Sequence, residues 1–175
     1  MTSPKILIAG IGNIFLADDG FGCAVAGRLA RRPLPDGVRV VDFGVRGFDL
    51  AYALMDGYDV TILIDAVTRG AEPGALYVIE PDLNELNAPD AQAIMVEAHA
   101  MNPMRALALV KSMNGELKRI LLVGCEPATL GPEEGRMGLS ETVEAAVDGA
   151  VEMVESLVAE ILGDQRKTGA GANHY

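Results

Sequence analysis

Two adjacent carboxylates, Asp18 and Asp19, follow the stretch Ile6-Leu7-Ile8-Ala9-Gly10-Ile11-Gly12-Asn13, and a second glycine pair, Gly20 and Gly22, comes directly after them. An apolar run that ends in glycines reads as a buried strand delivering its end into a tight turn. The carboxyl end of a first parallel strand is where open α/β sheets bind ligands. A dinucleotide fingerprint needs a third small residue three places after Gly12. Position 15 is Phe, and an anionic pyrophosphate would meet both acids. The loop is suited to a cation or a polar group.

Two further residues join this pair. Asp65 interrupts the apolar run DVTILIDAV near its carboxyl end, and His99 precedes a helical pattern in Glu97-Ala98-His99-Ala100-Met101-Asn102-Pro103. The other histidine, His174, stands next to the C-terminus. If the first and third strands are parallel neighbours, Asp19 and Asp65 open into one crevice, and the loop carrying His99 can fold over it. Two carboxylates and an imidazole suit a borderline divalent ion such as Zn²⁺ or Ni²⁺ and leave positions open for substrate or water. Magnesium rarely chooses a histidine.

Each residue also has a structural reading. Asp19 can N-cap the first helix. Asp65 can accept backbone hydrogen bonds, although a carboxylate in that apolar setting needs a partner. His99 can cap the following helix or lie on the surface. Arg46, a lone cation in Gly44-Val45-Arg46-Gly47, falls on the crevice rim. It can hold a carboxylate or carbonyl of an incoming segment through paired hydrogen bonds, or pair with Asp18 or Asp49. Asp18 and Asn13 are the other candidate substrate contacts, although Asp18 reads first as a turn residue or as a support for the residues that touch the ligand. Cys23 reads as a small buried side chain. Cys125 ends a strand and can line the crevice, with no histidine beside it to activate a thiol. Neither a Ser-His-Asp or Cys-His order nor an HExxH helix is present.

The elements that must position these groups alternate along the chain. Strands are predicted over 5–11, 38–43, 59–67, 75–80 and 119–125, and helices over 21–31, 48–55 and 103–113. A last helix, capped by Ser140, repeats Val143, Val147, Val151, Val154, Val158 and Ile161 on one face. Such alternation implies a three-layer α/β/α sandwich on a mainly parallel sheet. The 75–80 strand follows the tight turn Pro73-Gly74 and is expected to pair antiparallel to the third strand. Residues 81–98 form a long acidic segment, and loops of that length are usually functional or disordered. Residues 1–163 are read as one domain, and 164–175 as a flexible tail.

Composition narrows the partners. The 175 residues are 50% hydrophobic and 22% charged, and the formal net charge is −11. That balance disfavours nucleic acid and anionic membranes, whose recognition relies on Lys and Arg. No apolar run approaches the roughly 20 residues that span a bilayer, and the N-terminal residues run straight into a strand without an export segment. Two cysteines make no disulfide framework. The expectation is a soluble cytoplasmic protein with reduced thiols.

The stretches GIGNIFLADDGFG (10–22), LIDAV (63–67), HAMNP (99–103) and VGCEP (123–127) together resemble the [NiFe]-hydrogenase maturation endopeptidases, in order and spacing, over nearly the whole chain. The resemblance implies a five-stranded sheet with one antiparallel strand. It implies an endopeptidase that removes the C-terminal extension of the hydrogenase large-subunit precursor after nickel insertion. The family's metal-contacting trio would fall on Asp19, Asp65 and His99, which are thereby the candidate catalytic and metal residues. Relatives often carry Glu where Asp19 stands, so the reach to the metal is shorter here by one methylene. Nickel would arrive on the substrate rather than reside in the enzyme, with Zn²⁺ or Cd²⁺ substituting in vitro. The expected partner is the nickel-loaded precursor. Two other readings use the same residues. One is a non-catalytic metallochaperone that docks the large subunit. The other is a flavodoxin-like nucleotide- or flavin-binding module, supported by the strand–glycine–helix opening.

Overall fold

The computed structural model describes residues 3–86, 102–130 and 137–170, with side chains as far as Asp164. Its centre is a five-stranded sheet in the order β2-β1-β3-β5-β4. The strands are β1 (Ile6–Ile11), β2 (Val38–Gly44), β3 (Val60–Ala66), β4 (Leu76–Ile79) and β5 (Arg119–Cys125). Strand β1 is parallel to β2 and β3, and β3 is parallel to β5. Every residue of β1 is buried. That is why it reads as an unbroken apolar run and lies between two parallel neighbours.

Alternation along the strands divides the core into two layers. Ile6, Ile8, Ile62, Ile64, Leu121 and Val123 face α1 (Phe21–Leu29) and the last helix, α4 (Glu141–Ala170). Leu7, Ala9, Leu63, Ile120 and Leu122 face α2 (Gly47–Leu54) and α3 (Pro103–Ser112). The valine stripe of α4 is buried from Val143 to Ile161, as its spacing predicts. Helix α3 begins where Asn102 Oδ1 accepts from the Met104 amide at 2.9 Å, with Pro103 in the first turn. The result is the expected three-layer α/β/α sandwich.

Two expectations change. Strand β4 is antiparallel, but its partner is β5, with Leu76 opposite Cys125 and Ile79 opposite Leu122. The connection over residues 67–75 is too long for a tight hairpin and crosses the end of β5, which inserts between β3 and β4. It is fastened there: Val67 donates to the Cys125 carbonyl, Gly74 to the Glu126 carbonyl, and Glu126 to the Ala75 carbonyl. The second change is at the C-terminus. Helix α4 continues to Ala170, past Gly163. A single interior glycine costs about 1 kcal/mol of helix stability and does not by itself end a helix.

The chain leaves β1, builds β2 on one side, then crosses to β3 on the other. The strand order reverses at β1/β3, and a crevice opens there beyond the carboxyl ends of the strands.

Candidate active site

Both sides of this crevice carry a carboxylate. Asp19 lies in a 3₁₀ turn, Ala17–Gly20, between β1 and α1. Its Oδ2 accepts from the Asn13 amide at 2.8 Å. It does not cap α1, whose N-cap is Gly20 with no side-chain cap bond. Burial raises its pKa, and the Asn13 amide offsets part of that rise. Asp65, at the end of β3, is only 7% exposed. Its Oδ1 accepts from the Ala66 amide at 2.9 Å. Its pKa is raised well above the usual carboxylate range, first by burial and then by the negative charge of Asp19. Among the described residues no basic side chain pairs with either acid.

A third acid, Asp42, lies near the end of β2, within reach of the same Cys23 thiol, and its Oδ1 accepts from the Gly44 amide at 3.0 Å. Sequence reading missed it. The available signal was the one that exposed Asp65, a carboxylate closing a β-branched run. The Cys23 thiol reports the combined field. Burial, a hydrogen bond with Asp42, and the charges of Asp42, Asp19 and Asp65 push its pKa up to about 12. Cys23 is therefore a neutral, buried thiol that donates to the Gly12 carbonyl at 3.4 Å. Cys125 is fully buried, and burial together with Asp18 and Glu126 raises its pKa to about 11. The thiolate is the nucleophile in cysteine chemistry, so Cys125→Ser is expected to keep full processing activity. Loss of cleavage in a folded Cys125→Ser protein, scored by mass spectrometry, would restore a thiol mechanism.

The three candidate substrate contacts separate. Asp18 is fully buried, and both its carboxylate oxygens are taken by hydrogen bonds from Ala128, Thr129 and Ser140. Desolvation would raise its pKa, but hydrogen bonds donated by Ser140, Thr129 and Ala128 outweigh this and hold it below the usual value. Asn13 Oδ1 accepts from the Phe15 amide at 2.9 Å, so its side chain shapes its own loop. Arg46 spends its donors at the β2–α2 corner. Nε reaches the Phe43 carbonyl at 3.2 Å, Nη2 the Asp42 carbonyl at 2.6 Å, and Nη1 Asp49 at 3.4 Å. Of its two suggested acidic partners, Asp49 is the one it meets.

His99 lies outside the described residues. Among those described, no three His, Cys, Asp or Glu side chains converge on a metal-sized position. The described part of the expected trio is Asp19 and Asp65. Two desolvated acids in mutual repulsion favour binding a proton or a cation.

Residues 23–157 match the family model for hydrogenase maturation proteases. The chain belongs to the hydrogenase maturation protease family. It is 35% identical over 158 residues to a putative hydrogenase maturation protease of Methanocaldococcus jannaschii, covering 88% of this chain and 96% of that one. It is 30% identical to the hydrogenase 2 maturation protease of Escherichia coli, covering 89% and 92%. Among solved structures it resembles the hydrogenase maturating endopeptidase HybD from E. coli, with a TM-score of 0.68, 29% identity, and coverage of 89% and 93%. It also resembles the hydrogenase 2 maturation peptidase of a Thaumarchaeota archaeon, with a TM-score of 0.66, 33% identity, and coverage of 89% and 98%. The family is one of peptidases. Among the described residues, no helix of this protease is long and apolar enough to cross a membrane.

Proposed function

We propose that this protease removes the C-terminal extension of a [NiFe]-hydrogenase large-subunit precursor after nickel insertion, and reads the substrate's nickel through Asp19, Asp65 and His99. The observation that carries the reading is the burial of Asp65 beside Asp19 with no cation among the described residues to balance them. A pair of acids alone holds free metal weakly. It binds strongly when a partner's thiolates already supply the remaining ligands. Loaded precursor is then separated from empty precursor by differential binding. Hydrolysis needs water to attack the scissile carbonyl carbon, with the C–N bond breaking and the departing amine taking a proton. Metal-assisted attack is the simplest route. Site of action is the cytoplasm on this reading, where hydrogenase precursors and reduced thiols coexist.

The crevice rim fits a protein substrate. Ile14, Phe15 and Leu16 are three consecutive exposed apolar residues in the β1–α1 loop, with Phe15 58% exposed. Val45 and Phe48 after β2, and Leu130 after β5, are exposed at the same end of the sheet. Contiguous exposed apolar surface marks interaction sites. Phe15→Asp is expected to weaken precursor binding about thirtyfold, the loss of a single binding hot spot, while Cd²⁺ uptake stays at the wild-type level. Equal precursor affinity, measured by biolayer interferometry, would remove the loop from the docking surface.

The test of the function is incubation of the protease with nickel-loaded and nickel-free precursor, followed by intact-mass measurement. Loss of a C-terminal fragment from the loaded form alone is expected. Binding without any mass loss would make the protein a metallochaperone. Equal cutting of both forms would end the role of nickel in recognition.

A further inference from the structure

Asp18 and Asp19 are neighbours with opposite fates. Among the described residues, Asp19 receives one hydrogen bond and Asp18 receives four. Asp18 Oδ2 accepts from the amides of Ala128 at 2.9 Å and Thr129 at 3.0 Å, and from the Ser140 hydroxyl at 2.9 Å. Its Oδ1 accepts from the Ser140 amide at 2.7 Å. The Asp18 amide donates to the Thr129 carbonyl at 3.1 Å. One buried carboxylate thus ties the β1–α1 turn to the segment after β5 and to the start of α4.

The backbone shows what this anchor holds in place. Ala17 has φ +48°, a left-handed conformation that L side chains avoid. Such a conformation persists only where its surroundings over-determine it. Asp18, the next residue, supplies that restraint. On the other side of the turn, the Asp19 amide donates to the Leu16 carbonyl at 3.1 Å, and Asp19 Oδ2 takes the Asn13 amide. In a 3₁₀ turn successive side chains point about 120° apart. Fixing Asp18 inward therefore fixes Asp19 outward.

We infer that Asp18 is a positioning residue for Asp19, holding that carboxylate at the crevice through the buried node with Ala128, Thr129 and Ser140. This rests on the reading that Asp19 contacts metal. Ser140 gives the route an independent handle. Its hydroxyl meets Asp18 Oδ2 and caps α4 through the Val143 amide at 3.4 Å, and it lies on a different element from either crevice acid.

The experiment is calorimetric titration of Cd²⁺ into wild type, Asp19→Asn, Asp18→Asn, Ser140→Ala and the Asp18→Asn/Ser140→Ala double variant. It is read well below each melting temperature, with far-UV circular dichroism confirming the fold. Asp18→Asn places an amide NH₂ where backbone N–H groups need an acceptor. It should weaken Cd²⁺ binding about tenfold, the scale of outer partners of metal ligands. Ser140→Ala should weaken it about threefold, and the double variant should bind no more weakly than Asp18→Asn alone, because both act through one node. Folded Asp18→Asn with wild-type Cd²⁺ affinity overturns the inference. Should Asp18→Asn fail to fold, wild-type affinity in Ser140→Ala does the same. Wild-type affinity in Asp19→Asn instead overturns the metal role of Asp19 itself, and the positioning role falls with it.

Discussion

Asp65→Asn should melt at a higher temperature than the wild type at pH 7, while losing Cd²⁺ uptake and precursor processing. The isosteric amide keeps an acceptor for the Ala66 amide and removes a buried negative charge. The sign follows from the proton balance. Asp65 has a raised pKa in the folded protein, against an unfolded value of about 3.9. The folded state therefore binds the proton more tightly than the unfolded chain. Stability from this group is fully present below the unfolded pKa and is lost as pH rises through the folded one. Asp19 is shifted in the same direction. Asp18, Asp59 and Glu126 have lowered pKa values and act oppositely, losing stability as pH falls through their folded values. The Asp65 contribution is therefore read from about pH 4 upward. Over that range wild-type stability should decline with pH, and the decline should be smaller in Asp65→Asn. The gain at pH 7 is expected to be about 1–2 kcal/mol, the scale of a single stabilising substitution. For a chain this long that is a few degrees in Tm. Calorimetry from pH 4 to 8 checks it. A variant less stable than wild type at pH 7 would mean that the charge is already balanced, and unchanged Cd²⁺ uptake would take Asp65 out of the metal contact.

This trade explains which parts of the site were legible in the sequence. Asp65 stood out because a charge inside DVTILIDAV breaks a local pattern, and local patterns are what a sequence displays. The strand–glycine–acid opening was legible for the same reason, and so was the valine stripe of α4. The separate fates of Asp18 and Asp19 were legible only as far as reading Asp18 as a turn or supporting residue. They are decided by amides at Ala128, Thr129 and Ser140, far along the chain, and nothing near position 18 signals them. The pairing of β4 failed similarly. Its antiparallel direction was read correctly, but its neighbour depends on β5 entering the gap. That choice is stabilised by Glu126, a buried residue of the VGCEP stretch to which sequence reading gave no role. Its carboxylate accepts from the amides of Arg69 at 2.8 Å and Gly70 at 3.2 Å and from the Tyr77 hydroxyl, while Arg69 lies over the Tyr77 ring. Burial and the Glu126 charge push Tyr77 up to about 12, so this clamp stays protonated on the tyrosine at neutral pH.

The glycines of the opening motif divide into those that build the fold and those that build the site, and alanine substitutions should separate them. A Cβ on Gly22 would lie 2.1 Å from the Ile64 carbonyl oxygen, 2.3 Å from that of Ile11 and 2.8 Å from the Ile11 nitrogen. All three are backbone atoms of the central strands, which cannot yield without breaking the sheet. Helix α1 must instead lift from β1 and β3. Gly22→Ala is expected to cost more than about 3 kcal/mol, at the upper end for overpacked positions. Gly12 has φ +138°, and a Cβ there would fall 1.8 Å from the Asp19 carbonyl oxygen. Gly12→Ala therefore strains the backbone and pushes directly on the turn that carries Asp19. It should destabilise the protein by a similar amount, and the fraction still folded should bind Cd²⁺ far more weakly than wild type. Gly27, on the same α1, has nothing within 4 Å of its Cβ position. Gly27→Ala should stabilise the helix by about 0.5–1 kcal/mol and leave Cd²⁺ binding unchanged. Urea unfolding and Cd²⁺ titration on the three variants test the division. Wild-type stability in Gly22→Ala would refute the close approach of α1 to the sheet. Wild-type Cd²⁺ affinity in folded Gly12→Ala would show that the Asp19 turn does not depend on the glycine beneath it.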